Sequence, residues 1–126
     1  MQTPSEAPVQ RTVMVVREGN VPAAVEAVVA AFEAEDFLTS VAAAEHRAVV
    51  GRASSAQWRV RITATTEKAP EGVLIALRGR YTHLPVPGSA AAAFTEDITS
   101  SCGGRCGGYW AWLQRLGNAL AGEGNP

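Results

Sequence analysis

Trp58-Arg59-Val60-Arg61-Ile62-Thr63-Ala64-Thr65 is the stretch that decides the fold class. Successive side chains of a strand point to opposite faces, so Trp58, Val60, Ile62 and Ala64 fall on one side and Arg59, Arg61, Thr63 and Thr65 on the other. That alternation predicts a strand in a sheet with one buried and one wet face. Pro70-Glu71-Gly72 supplies a turn. Beyond it, Val73, Ile75, Leu77, Gly79 and Tyr81 share one face, while Arg78, Arg80 and Thr82 share the other.

Upstream, Arg11 to Glu18 encloses the β-branched run Thr-Val-Met-Val-Val and ends at Gly19-Asn20, which predicts a further strand. A helix should follow. Asn20 suits the N-cap and Pro22 the first turn, and Val25, Val28, Val29 and Phe32 recur at the spacing of one helical face. Thr39 to Ala53 is less regular and predicts one strand, bent near Gly51. Downstream, Leu84-Pro85-Val86-Pro87-Gly88-Ser89 cannot continue a central strand, because proline lacks the ladder donor. Ala90 to Phe94 predicts a short helical turn. Tyr109 to Ala121 predicts the last helix, with Tyr109, Trp112, Leu113, Leu116 and Leu120 as its apolar stripe.

The order β-α-β-β-β-α predicts an α+β two-layer sandwich, an antiparallel sheet of about four strands with two helices on one face. Residues 1–10 read as a flexible Pro/Ser tether, 11–121 as a single domain and 122–126 as a tail. At 126 residues the chain suits one domain with one core. Its apolar share of 47% and charged share of 18% are ordinary for a globule. A formal charge of -1, with Lys68 the only lysine among 11 basic residues, excludes nucleic acid as an expected partner. No run approaches the roughly 18 apolar residues of a membrane-crossing helix.

Ser101-Cys102-Gly103-Gly104-Arg105-Cys106-Gly107-Gly108 holds both cysteines. On one helical turn, residues four apart would present their sulfurs to one metal. The four glycines oppose a helix by roughly 4 kcal/mol, so a Gly-rich loop closed by a Cys102–Cys106 disulfide is the expectation, with free thiols and a metal or redox site as alternatives. Two cysteines with only His46 and His83 make a poor zinc set, and three intervening residues differ from the two of a thioredoxin-type motif. No metal or other cofactor is expected. A disulfide implies an oxidising compartment and therefore export.

Arg59, Arg61, Arg78 and Arg80 should share the wet face, with Arg52 joining them, and such a face suits a carboxylate, a phosphate or an acidic partner protein. A solvated face cross-paired with Thr and Glu is the bland reading. Trp110 falls off the helical stripe, beside Gln114, and is expected either half-exposed beside the cysteine loop, as part of the partner-binding surface, or packed against that loop. Trp112 is expected in the core. No catalytic residues stand out: His46 follows Glu45 and His83 precedes a proline loop without a nucleophile set, and Glu96-Asp97 reads as a cap or solvated turn. No phosphate-binding loop is present.

The layout from Arg11 to Ala121, with Met1-Gln2-Thr3-Pro4-Ser5-Glu6-Ala7-Pro8 like the stretch after a lipidated cysteine, resembles the helix-grip domains of an accessory lipoprotein of the bacterial barrel-assembly machinery. The resemblance lies in element order, not in any motif, so it assigns no residue a role, and the cysteine loop departs from that family's pattern. It implies a non-enzymatic, exported domain of the bacterial cell envelope, periplasmic or anchored through a lipidated N-terminus in the place of Met1, that binds a protein partner. The alternative is a small-molecule or metal-binding module using the sheet and helix interface or the cysteine loop.

Overall fold

The computed structural model describes residues 9–41, 48–55, 58–83 and 96–121. Most of the tether, Glu45 and His46, the Leu84 to Ser89 loop, the Ala90 to Phe94 turn and the tail lie outside the described residues. The elements run β1 (Thr12–Arg17), α1 (Val21–Ala34), β2 (Leu38–Val41), β3 (Ala48–Ser54), β4 (Trp58–Ala69), β5 (Gly72–His83), β6 (Glu96–Asp97) and α2 (Arg105–Ala121).

The α+β class holds, but the sheet has six antiparallel strands rather than about four. Its order is β1-β5-β4-β3-β2, with β6 also paired to β5. Two features of the chain account for the difference. The region read as one bent strand, Thr39 to Ala53, is two strands: Leu38 faces Arg52 and Val41 faces Val49, so the chain reverses between them. Glu96-Asp97, read as a cap or turn, is a short strand opposite Arg80 and Tyr81. It is held because Ile98 beside it is fully buried and sits over Gly79, where a Cβ would lie 2.6 Å from the Ile98 Cδ1 atom.

The expected strand faces are those observed, except that Thr82, expected on the wet face beside Arg59, is buried. Val60, Ile62 and Ala64 on β4 join Val73, Ile75 and Leu77 on β5 in a core completed by Val28 and Phe32 of α1 and Leu113, Leu116 and Leu120 of α2. Each of these Val, Ile, Leu and Phe side chains stabilises the fold by roughly 1.5–3 kcal/mol when fully buried. Both helices therefore cover one face. At Gly51 an added Cβ would meet Phe32 Cδ2 at 2.8 Å, so α1 lies close to β3 only because that position lacks a side chain.

Asn20 caps α1 as expected, its Oδ1 accepting from Ala23 N at 2.9 Å. The helix ends with Phe37 N donating to Phe32 O and Asp36 N to Glu33 O, both at 3.0 Å, the double closure of a Schellman motif. Asp36 occupies the left-handed position at φ 65° where glycine is usual.

The second helix differs from expectation in its start and its orientation. It begins at Arg105, not Tyr109, and includes Cys106, Gly107 and Gly108. Only Gly103 and Gly104 remain in the loop, which halves the propensity penalty, and burial of Cys106, Tyr109 and Trp110 offsets the rest. The buried stripe is Cys106, Tyr109, Trp110, Leu113, Leu116, Gly117 and Leu120. Trp110 lies about 60° around the helix from Leu113 and Trp112 about 100°. Trp110 is therefore buried, 8% exposed, rather than half-exposed, and Trp112, expected in the core, is only partly buried against it.

Candidate functional site

The second face of the sheet has no described helix or strand across it, because both helices pack on the first. Strand register builds its surface. Arg52 of β3 stands opposite Arg61 of β4, Arg61 opposite Arg80 of β5, and Arg80 opposite Asp97 of β6. Three arginines and one aspartate thus form a row across four strands. Arg59 lies in the next row, between Ser54 and Thr82, and Arg78 on the other side, between Thr63 and Thr12. The four arginines read from the sequence share this face, and Arg52 joins them.

Like charges directly opposite one another in a sheet are destabilising, and here two such pairs stand side by side. Asp97 closes one end of the row. Its carboxylate lies 3.4 Å from Arg80 Nε and 3.5 Å from Arg11 Nε. Arg59, Arg61 and Arg80 are also engaged by neighbouring groups, but a guanidinium has five donors and an engaged one keeps others to offer. A depression of about 440 Å³ lined by Arg61, Thr63, Arg78, Arg80 and Asp97 makes the patch concave. Asp97 and Arg11 were not legible as members of the site, because their place depends on the two-residue strand β6. Beyond the arginines the face becomes apolar, with Met14 beside Ala76 and Val16 beside Leu74.

Trp110 does not belong to this surface. It lies in α2, on the opposite side of the sheet, and lines a groove beside β1.

Cys102 and Cys106 form a disulfide, with their Cα atoms 5.5 Å apart. Cys106 is buried in the first turn of α2, so the bond ties the Gly103-Gly104 loop to the helix start. Both sulfurs are consumed and neither is available as a metal-binding thiolate. Among the described residues, no three His, Cys, Asp or Glu side chains converge.

A cleft of about 680 Å³ opens at the end of α1, between Trp58, Trp112, Leu38, Arg52, Arg59 and Glu35. Glu35 Oε1 accepts from Trp112 Nε1 at 2.7 Å and from Arg115 Nη2 at 3.2 Å. The hydrogen bonds from Arg115 and then Trp112 hold its carboxyl below the usual glutamate value. A carboxylate held in this way is a poor proton acceptor. Nearby, His83 Nε2 lies 3.3 Å from the Tyr109 hydroxyl. Burial raises the Tyr109 and Tyr81 hydroxyls above the usual tyrosine value, which keeps both protonated at neutral pH. Among the described residues this corner offers rings and occupied polar groups, without an activated nucleophile.

No protein-family model matches the chain and no curated protein is a detectable relative of it, so the functional argument rests on geometry.

Proposed function

We propose that the chain is a non-enzymatic binding domain of the bacterial cell envelope, exported to the periplasm or anchored there through a lipidated N-terminus, whose open sheet face takes an acidic protein partner. The row Arg52–Arg61–Arg80 carries the reading. The row sets three guanidinium groups side by side on one face, and a partner carboxylate laid across it would accept paired guanidinium bonds. The disulfide supports export, since such bonds persist in oxidising compartments.

A fluorescein-labelled oligoglutamate peptide serves as the probe. Anisotropy should show saturable binding that weakens with added salt, and Arg61→Glu with Arg80→Glu should reduce affinity at least about tenfold. Equal affinity in the variant, or binding indifferent to salt, would reject the arginine face. Fractionation of cells making the protein from its natural gene start tests export: a cytoplasmic pool with reduced cysteines would reject that half of the reading.

A second reading, a small-molecule module, is favoured by the cleft between Trp58 and Trp112, whose size suits a ligand. The disulfide removes the cysteine loop from that reading as a thiolate metal site.

A further inference from the structure

Among the described residues, the exposed large hydrophobic side chains are Val9, Met14, Val16, Leu38 and Val41. Four of them lie on the two edge strands, and Val9 lies three residues before β1. β1 is the longer edge, and Thr12-Val13-Met14-Val15-Val16 contains no charge and no proline. Among the described residues, the backbone of Thr12–Arg17 bonds only to β5, and no described group meets its outer row of donors and acceptors. Edges this long and apolar are normally guarded by lysine, proline or a bulge, or are covered. Met14 is 60% exposed and Val16 is 44% exposed.

Beside this edge runs a groove of about 650 Å³ between β1 and α2. The α2 wall is Trp110, Gln114, Gly117 and Asn118, a row at helical spacing with no charge. Gly117 sets its depth, because a Cβ there would lie 2.7 Å from Val13 Cγ1. The indole N–H of Trp110, a residue buried to 8% exposure, has no acceptor among the described residues.

We infer that β1 pairs antiparallel with β1 of a second copy of this chain, joining two sheets into one through a two-fold axis at Val15. Charge selects this occupant. In a two-fold contact each surface meets its own copy, so a charged patch repels itself while a neutral one does not. The arginine face is unsuited to such a contact, whereas Thr12–Val16 and the groove beside it carry no charge, Arg17 standing at the end of the strand. Amide side chains both donate and accept, so Gln114 and Asn118 can meet their own copies or receive the Trp110 N–H.

Register follows from the same reasoning. With the axis at Val15, Met14 faces the second copy's Val16 twice, and Thr12 faces its Glu18. Sliding by one pair in one direction sets Arg11 against Arg17, like charges. Sliding in the other sets Met14 against Glu18. The pairing would place the two open faces side by side, with their apolar ends meeting at the axis and an arginine field on each flank. This inference is independent of what the arginine face binds.

The test is sedimentation equilibrium from about 1 µM to about 500 µM, on the wild type and on two double variants at exposed positions. Met14→Lys with Val16→Lys, and Met14→Glu with Val16→Glu, should each weaken dimerisation at least about 100-fold by like-charge contact across the axis. A 1:1 mixture of the two should dimerise again. Circular dichroism of each variant checks that the monomer folds. The inference is overturned if the wild type stays monomeric throughout, if either variant dimerises like the wild type, or if the mixture stays monomeric. Arg61→Glu with Arg80→Glu should leave dimerisation unchanged, and its loss there would move the contact to the arginine face and overturn the β1 assignment.

Discussion

Reducing the Cys102–Cys106 bond tests how the cysteine loop supports α2. The bond closes a loop at a sequence separation of 4. In the chain-entropy treatment, closing about five residues removes about 7 cal/mol/K from the unfolded chain, or about 2 kcal/mol at 25 °C. Gly103 and Gly104 are the reason the unfolded loop has so much freedom to lose. Reduction leaves the side chains in place and isolates this entropy. Replacing both residues, Cys102→Ala with Cys106→Ala, also removes the buried Cys106 sulfur and should add roughly 1 kcal/mol. The assay is urea unfolding followed by tryptophan fluorescence, with and without reductant, since Trp110 and Trp112 lie just beyond the bond. The wild type should lose about 2 kcal/mol on reduction and the variant nothing further. Hydrogen exchange should quicken first at the amides of the opening turn of α2. An unchanged urea midpoint, or two free thiols in the unreduced protein by mass, would refute the reasoning.

Further outcomes follow from single positions. Gly51→Ala sets a methyl within 2.8 Å of the fully buried Phe32 ring and should destabilise by about 1–3 kcal/mol in urea unfolding. Asp36→Gly relieves a left-handed residue at φ 65° and removes a carboxylate from the negative end of α1, so it should stabilise by about 0.5–1 kcal/mol. The Glu35 carboxyl titrates below its unfolded value, so its contribution is present above the ordinary glutamate pKa and lost as pH falls through the lowered folded value. Glu35→Gln should therefore be less stable than the wild type near neutral pH, and the gap should close in acid when urea midpoints are compared across pH.

The sheet was legible where alternation was clean. β4 and β5 have uninterrupted period-two patterns, and their faces were read correctly down to the arginines. Two elements escaped for separate physical reasons. The β2 to β3 reversal carries no Gly-Asn or Pro signal between Val41 and Ala48, and β6 is two residues long, fixed by the burial of Ile98 rather than by any local pattern. The tryptophans of α2 differ from their expected places because Cys106 and Gly117, which lie on the buried stripe on the Trp110 side of Leu113, are not read as apolar stripe positions. Glycine conventionally marks an interruption, whereas Gly117 is the point at which the helix touches β1.

Charge was the least legible property. A formal net of -1 conceals its segregation: Glu26, Glu33, Glu35 and Asp36 follow α1 and its end, while Arg52, Arg59, Arg61, Arg78 and Arg80 lie across the opposite side of the sheet. The arginines were assigned to one face by period alone. Their alignment into a row, and its closure by Asp97 and Arg11, depends on inter-strand register.

The most direct test of the proposed arginine face is an NMR titration of the arginine Nε–H signals with the oligoglutamate peptide. The account predicts that Arg59, Arg61, Arg78 and Arg80 shift together and saturably, while Arg115 and the indole signals of Trp58 and Trp112 stay in place. Movement of the indoles with the sheet arginines unchanged would contradict it and assign binding to the cleft.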